Sequence, residues 1–223
     1  MRTFRNVIVY VFAALAVSLV ALSSCETRQF HGNNTDANNA DLKEVDTMND
    51  NLTGKKAVLI VAPANFRDEE LFHTKEILDD SGVETYVASK GVRIAKGAYG
   101  KNSDVDIELT KLDVDDFDAV IFIGGSGTSV YLNDSSVQKV ARDALEHGKI
   151  LAAICMAPSI LANAGLLRDV SATAFSGEEK NLRAKGADYT GERVTIEGKI
   201  ITANGPEAAY DFGKAILKEL QED

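Results

Sequence analysis

The run Ile150-Leu151-Ala152-Ala153-Ile154-Cys155-Met156-Ala157-Pro158 constrains this chain more than any other. Five consecutive apolar residues without polar alternation make a strand that must be covered on both faces, the habit of parallel sheets in α/β proteins. The strand runs straight into a helix with Pro158 in its first turn, where a missing N–H costs nothing. A turn that tight leaves room only for small residues two before and two after its apex. Ala153 and Ala157 meet that demand and Cys155 is the apex. A cysteine so placed stands at a helix N-terminus, where the dipole and free N–H groups favour thiolate over thiol. The pattern reads as a nucleophile elbow.

The rest of the chain repeats the alternation of strand and helix. Lys55 to Ala62 and Phe117 to Ile123 read as buried strands, and Thr85 to Ser89, Val170 to Ala174 and Lys199 to Thr202 as further ones. Arg67 to Ser81, Ser135 to His147 and Pro206 to Gln221 read as helices, and Gly91 to Tyr99 as a hairpin or loop excursion. Such alternation predicts an α/β fold with a parallel sheet covered on both faces. Ligands in such sheets bind at the carboxyl ends of the strands. Cys155, Gly124-Gly125 and the segment from Asn65 to Glu70 all fall at carboxyl ends.

The N-terminus carries an address. Arg2 and Arg5 precede the apolar stretch Val7 to Leu22, and Leu22-Ser23-Ser24-Cys25 follows. A basic start, an apolar stretch and small residues at a cut site describe a secretory signal. Its last four residues resemble a bacterial lipobox, which predicts a signal over 1–24 and lipidation of Cys25. An uncleaved anchor is the alternative reading. Either places the folded part outside the cytoplasm, tethered to a membrane surface. Glu26, following the lipidated cysteine where aspartate often marks inner-membrane retention, favours the outer membrane facing the periplasm. Residues 25–53 are rich in asparagine and aspartate, bury little and are expected to stay disordered as a tether. His31 within it reads as a solvated residue. Residues 54–223 are long enough for one domain with a sizeable core.

The net charge is −10, and −12 once Arg2 and Arg5 leave with the signal. Nucleic-acid binding needs a basic footprint, so that class is excluded, as is electrostatic binding to anionic lipid. Solubility accounts for the charge. With Cys25 lipidated, Cys155 has no disulfide partner.

The candidate site needs a thiol, a proton carrier and donors for a developing oxyanion. Cys155 is the thiol. The donors are the backbone N–H groups of Met156, which follows the apex, and of Gly125 in the neighbouring glycine turn. Gly124 to Gly127 is neither a Walker loop nor a dinucleotide fingerprint, since no Gly-Lys-Ser/Thr follows and Val130 stands where a third glycine belongs. Asp68, Glu69 and Glu70 suit a helix's first turn by charge alone. One of them could instead point into the site.

These residues resemble the ThiJ/PfpI family. The likeness runs over nearly all of 55–220: Arg67-Asp68-Glu69-Glu70-Leu71, the strand from Phe117 to Gly125, Gly148 through Pro158, and Asn204-Gly205-Pro206. It implies a flavodoxin-like three-layer α/β sandwich with a nucleophile elbow, of the class I glutamine amidotransferase-like kind, assembled as a homodimer or higher homo-oligomer. It also implies that Glu70 is protonated and hydrogen-bonds Cys155. A neutral Glu70 can donate to a thiolate that an ionised one would oppose. Protease-like members carry histidine directly after the cysteine, where this chain has Met156. Other members supply one from the next strand, at the place of Phe175. His147 closes a helix. His73, three residues after Glu70, shares that helix face and is a candidate accessory residue.

The resemblance thus implies a cofactor-independent and metal-independent cysteine enzyme acting on small reactive carbonyls, of glyoxalase or deglycase type, through Cys155 and Glu70. A peroxide-reactive redox sensor or a chaperone without turnover is the alternative, and a cysteine peptidase ranks last.

Overall fold

The computed structural model describes residues 52–222. The expected signal, Cys25 and His31 lie outside the described residues. In chain order the strands are β1 (Lys56–Ile60), β2 (Ala64–Phe66), β3 (Glu84–Ser89), β4 (Ile94–Gly97), β5 (Asn102–Asp104) and β6 (Ile107–Glu108). They continue as β7 (Ala119–Phe122), β8 (Ile150–Ile154), β9 (Ser171–Ala172), β10 (Asp188–Tyr189), β11 (Val194–Glu197) and β12 (Ile200–Ala203). The helices are α1 (Asp68–Asp80), α2 (Ser135–Glu146), α3 (Pro158–Asn163), α4 (Glu179–Ala184) and α5 (Ala209–Glu222).

The central sheet has the order β11-β12-β8-β7-β1-β3-β6, parallel except at β11. Its middle strands are buried on both sides, and the pleat sends successive residues to opposite layers. Val58, Ile60, Val120, Phe122, Leu151 and Ala153 face the layer of α2 and α3. Ala57, Leu59, Ala119, Ile121, Ile150 and Ala152 face the layer of α1 and α5, where Leu71, Leu78, Phe212 and Ile216 pack. The continuous apolar runs in the sequence are this two-sided burial. Leu52, within the stretch expected to be tether, is fully buried in the second layer.

The chain runs outward from β1 to β3 and β6, then returns to β7 on the other side of β1 and proceeds to β8 and β12. That reversal puts the topological switch point between β1 and β7, and ligand sites form outside the carboxyl ends there. The turn after β7, Gly124-Gly125, and the turn after β8, Cys155, stand at that edge.

Two regions depart from the sequence expectation. The strand expected over Val170 to Ala174 shrinks to Ser171–Ala172 and pairs with β10 outside the central sheet. Thr173 explains the early end: its N–H donates to Thr202 Oγ1 and its hydroxyl to the Glu192 carbonyl, so side chains take the place of a backbone ladder. The sequence reading also omits β11, an edge strand antiparallel to β12 with two exposed residues. The stretch from Gly91 to Tyr99 is one arm and the tip of a hairpin, β4 with β5, to which β2 adds.

Candidate active site

β8 delivers Cys155 at φ +64, a left-handed conformation that costs a residue with a Cβ on the order of 1–3 kcal/mol. Surrounding bonds hold it there. The Cys155 N–H donates to the Ala203 carbonyl at 2.9 Å, and its carbonyl accepts the Phe175 N–H at 2.8 Å. The Ala157 N–H closes the turn on the Ile154 carbonyl at 3.0 Å, and Pro158 opens α3. Ala153 and Ala157 are fully buried, so larger side chains would have no room.

Glu70 reaches the same point from the first turn of α1. It is fully buried, and its Oε2 accepts the Gly124 N–H at 3.0 Å. Gly124 is glycine for a steric reason: a Cβ there would sit 2.7 Å from Cys155 Cβ, Glu70 Oε2 and the Ile154 carbonyl. Three elements therefore meet around one missing side chain. The Arg67 N–H donates to the Gly124 carbonyl at 3.0 Å and locks α1 to the end of β7.

The electrostatics follow from this burial. Desolvation pushes the Glu70 carboxyl up to about 7, helped by the charge of Glu69 and opposed by hydrogen bonds from the Cys155 thiol and the Gly124 N–H and by the Arg67 charge. Burial also pushes the Cys155 thiol up to about 12, and an ionised Glu70 adds to that through its charge and its hydrogen bond. The backbone N–H groups of Gly125 and Met156 both donate to the sulfur and pull the other way. The pair thus accommodates one negative charge and resists a second. The two N–H groups expected to serve as oxyanion donors converge on the sulfur itself.

Cys155 is 8% exposed and opens into a cavity of about 330 Å³. Arg67, Tyr99, Gly125, Met156, Phe175 and Pro206 are among its lining residues. Asp68 explains how Tyr99 arrives. Its buried carboxylate accepts the N–H groups of Tyr99 and Lys101, each at 2.9 Å, and so pins the tip of the β4–β5 hairpin to α1. Glu69 lies 2.8 Å from Arg67 Nε, and the Arg67 guanidinium stacks 4.4 Å from the Tyr99 ring centroid. Of the acidic trio, Glu70 alone enters the site.

The histidines fall elsewhere. His73 stacks on Tyr210 of α5 with 4.4 Å between ring centroids, and His147 pairs with Asp115 at 2.8 Å. Neither lines the Cys155 cavity. Phe175 does line it. The sequence reading missed Arg67 and Tyr99 as site residues, and their only signal is chain order: Arg67 directly precedes the acidic trio, and Tyr99 stands at a glycine-flanked hairpin tip. Among the described residues no cluster of histidine, cysteine and carboxylate side chains has the makings of a metal site.

The DJ-1/PfpI family profile matches residues 55–219. A deglycase of Pyrococcus abyssi is 30% identical over 165 residues, covering 74% of this chain and 99% of that protein. A glutathione-independent glyoxalase of Caenorhabditis elegans is 24% identical over 167 residues, covering 75% of this chain and 89% of that one. The crystal structure of a ThiJ/PfpI domain protein from Brachyspira murdochii superposes with a TM-score of 0.75 at 34% identity, covering 76% of this chain and 99% of that one. The sheet order, the elbow at Cys155 and the match over 55–219 agree: this chain belongs to the DJ-1/PfpI family.

Proposed function

We propose that this protein converts small 2-oxoaldehydes to 2-hydroxy acids without an organic cofactor or metal, with Cys155 as nucleophile and Glu70 as proton carrier. The observation that carries the reading is the pairing of a thiol on a strained turn with a buried carboxyl whose affinity for protons sits near neutrality. A general acid–base group works best when its pKa lies near the operating pH. Deglycase and glyoxalase relatives support the reaction class.

The chemistry balances within the site. The Cys155 sulfur bonds to the aldehyde carbon, the C=O π pair moves to oxygen, and the thiol proton passes through Glu70 to that oxygen. The product is a hemithioacetal; the Gly125 and Met156 N–H groups hold the sulfur and stabilise negative charge on it before it attacks. Glu70 then takes the proton from the former aldehyde carbon, and the C–H pair forms an enediol with the adjacent carbonyl. Glu70 returns a proton to the adjacent carbon, and the hydroxyl proton of the former aldehyde passes to the neighbouring oxygen. That leaves a 2-hydroxy thioester. Water cleaves the C–S bond, releasing the hydroxy acid and restoring the thiol. The two carbons exchange oxidation states, so no external oxidant or reductant enters.

The test is lactate formation from methylglyoxal, followed against pH in wild type and Glu70→Gln. The reactive pair bears one negative charge, which forms as Glu70 gives up its proton, so wild-type kcat/KM is expected to climb through pH about 7. Glu70→Gln is expected to lose that step and about 10²–10⁴-fold in kcat/KM. Stability has a sign of its own. The folded carboxyl keeps its proton up to about pH 7, whereas the unfolded one releases it near 4.5. Stability conferred by the proton is therefore complete below pH 4.5 and lost as pH rises through 7, a loss of about 3 kcal/mol that Glu70→Gln should not show. Absence of lactate, with Cys155 still consuming peroxide quickly, would replace this reading by a redox sensor.

The proposal extends to location: lipidation at Cys25 tethers the domain in the cell envelope, on the periplasmic face of the outer membrane. The residues from Met1 to Glu26 are its support. Labelled palmitate should enter wild type and fail to enter Cys25→Ala; label in both would remove the anchor from the proposal.

A further inference from the structure

We propose that the Cys155 cavity selects carbonyl substrates bearing an apolar, planar substituent, an aryl group above all, and that Phe175 and Tyr99 are the residues that select it. The inference rests on the proposed carbonyl chemistry and names the kind of carbonyl.

The cavity has one chemically active wall and one passive one. Cys155, Gly125, Ser126 and Met156 form the first, with Glu70 buried behind the thiol. The second is aromatic and aliphatic: Ala98, Tyr99, Phe175 and Pro206. Arg67 is the one ionised side chain in the lining, and its guanidinium is already engaged by Glu69, the Tyr99 hydroxyl and the Tyr99 ring. Ser126 supplies a hydroxyl but no charge, so a charged substituent would lose hydration without gaining a free ionised partner.

Phe175 and Tyr99 are unusual for large rings in being 48% and 66% exposed, although both are mounted on fixed backbone. The Phe175 N–H donates to the Cys155 carbonyl at 2.8 Å, and its own carbonyl accepts the Glu178 N–H at 2.8 Å. Glu178 in turn accepts the Ser159 hydroxyl at 2.5 Å, tying this loop to α3. Gly177 leaves room for the ring: a Cβ there would sit 2.8 Å from Phe175 Cε1. Tyr99 is held through its N–H by Asp68 and through its hydroxyl by Arg67 at 2.7 Å. Rings exposed to water on a rigid frame are preorganised to be covered, and covering apolar surface is favourable in proportion to its area.

Phe175 also marks a boundary. A second cavity, of about 320 Å³, shares Phe175 and Pro206 with the first and continues past them to Tyr189, Asn204 and Glu207. The Phe175 ring stands between the two and sets the length of the substituent that the nucleophile's side admits.

The deciding experiment needs no turnover. Cys155 of the intact protein is alkylated with iodoacetanilide and with iodoacetamide, which differ by one phenyl group. In each reaction the sulfur bonds to the methylene carbon, iodide leaves and the thiol proton is released. The rate ratio, normalised to that of glutathione, is expected to exceed one by about tenfold in wild type and to fall several-fold in Phe175→Ser and in Tyr99→Ala. Two variants on separate loops guard against misfolding of either. A normalised ratio near one in wild type, or one that both variants leave unchanged, overturns the proposal. Mandelate formation from phenylglyoxal beside lactate from methylglyoxal tests the carbonyl chemistry separately. If neither acid forms while the alkylation ratio behaves as expected, the proposed reaction fails and the aryl-selective cavity stands.

Discussion

Cys155→Ser is expected to lower kcat/KM for methylglyoxal by on the order of 10³-fold or more, the scale on which removal of a covalent nucleophile acts. The fold should tolerate the change. A hydroxyl can donate to Glu70 and accept the Gly125 and Met156 N–H groups that now reach the sulfur. Burying it with partners should cost about 1 kcal/mol, a fall of roughly 2–4 °C in Tm for a domain of this size. The chemistry should not tolerate it. In the same buried surroundings an alcohol is a weaker acid and a far poorer nucleophile than a thiol, so the hydroxyl adds to the aldehyde much more slowly. Burial is the largest cause of the Glu70 shift, so the loss of stability between pH 4.5 and 7 should survive in Cys155→Ser while vanishing in Glu70→Gln. Lactate formation and thermal unfolding, measured on the same preparations, separate the two roles. Residual activity within tenfold of wild type would show that the sulfur is not the nucleophile.

What could be read from the sequence divides along chain distance. The elbow is a matter of neighbouring residues: Ala153, Ala157 and Pro158 state locally what the turn requires, and φ +64 at Cys155 is the result. The buried strands were legible because continuous apolar runs have no other stable use in an α/β sheet. The proton carrier was not legible from spacing. Asp68, Glu69 and Glu70 are equivalent as first-turn charges, and only the packing of α1 against the end of β7 turns Glu70 inward, Asp68 toward the hairpin and Glu69 toward Arg67. The resemblance singled out Glu70 where periodicity could not. Tyr99 entered the site through a bond between Asp68 and a turn 31 residues away, which no local pattern encodes. β9 and β11 were misread or missed because each is short and partly exposed, and Thr173 spends its bonds on side-chain partners.

Gly125→Ala is expected to be the most damaging single-methyl change among the site's glycines that sit at positive φ. Gly125 adopts φ +105, so any Cβ brings conformational strain on the order of 1–2 kcal/mol. Strain alone would not single it out. The added Cβ would lie 2.5 Å from the Arg67 nitrogen and the Asn65 carbonyl oxygen, and 2.7 Å from the Phe66 carbonyl carbon. All three are backbone atoms, so no rotamer change relieves the contact, and overpacking of this kind costs about 1–3 kcal/mol more. The chain that would have to yield carries Arg67, whose N–H bonds the Gly124 carbonyl, and it leads directly into α1 and Glu70. The expected loss is about 2–5 kcal/mol, or roughly 5–20 °C in Tm, with Glu70 and the Gly125 N–H displaced from the sulfur and turnover lost in whatever folds. Gly148→Ala is the control. It has φ +70 at the end of α2 but nothing within 4 Å of an added Cβ, so it bears the backbone strain without the collision. It should cost about 1 kcal/mol and leave kcat/KM unchanged. Equal losses for the two variants would mean that backbone conformation accounts for the whole effect, and that the junction of β7, α1 and the elbow is looser than the geometry requires. A loss confined to Gly125→Ala would show that the catalytic pair is held by a backbone contact that admits a hydrogen and nothing larger.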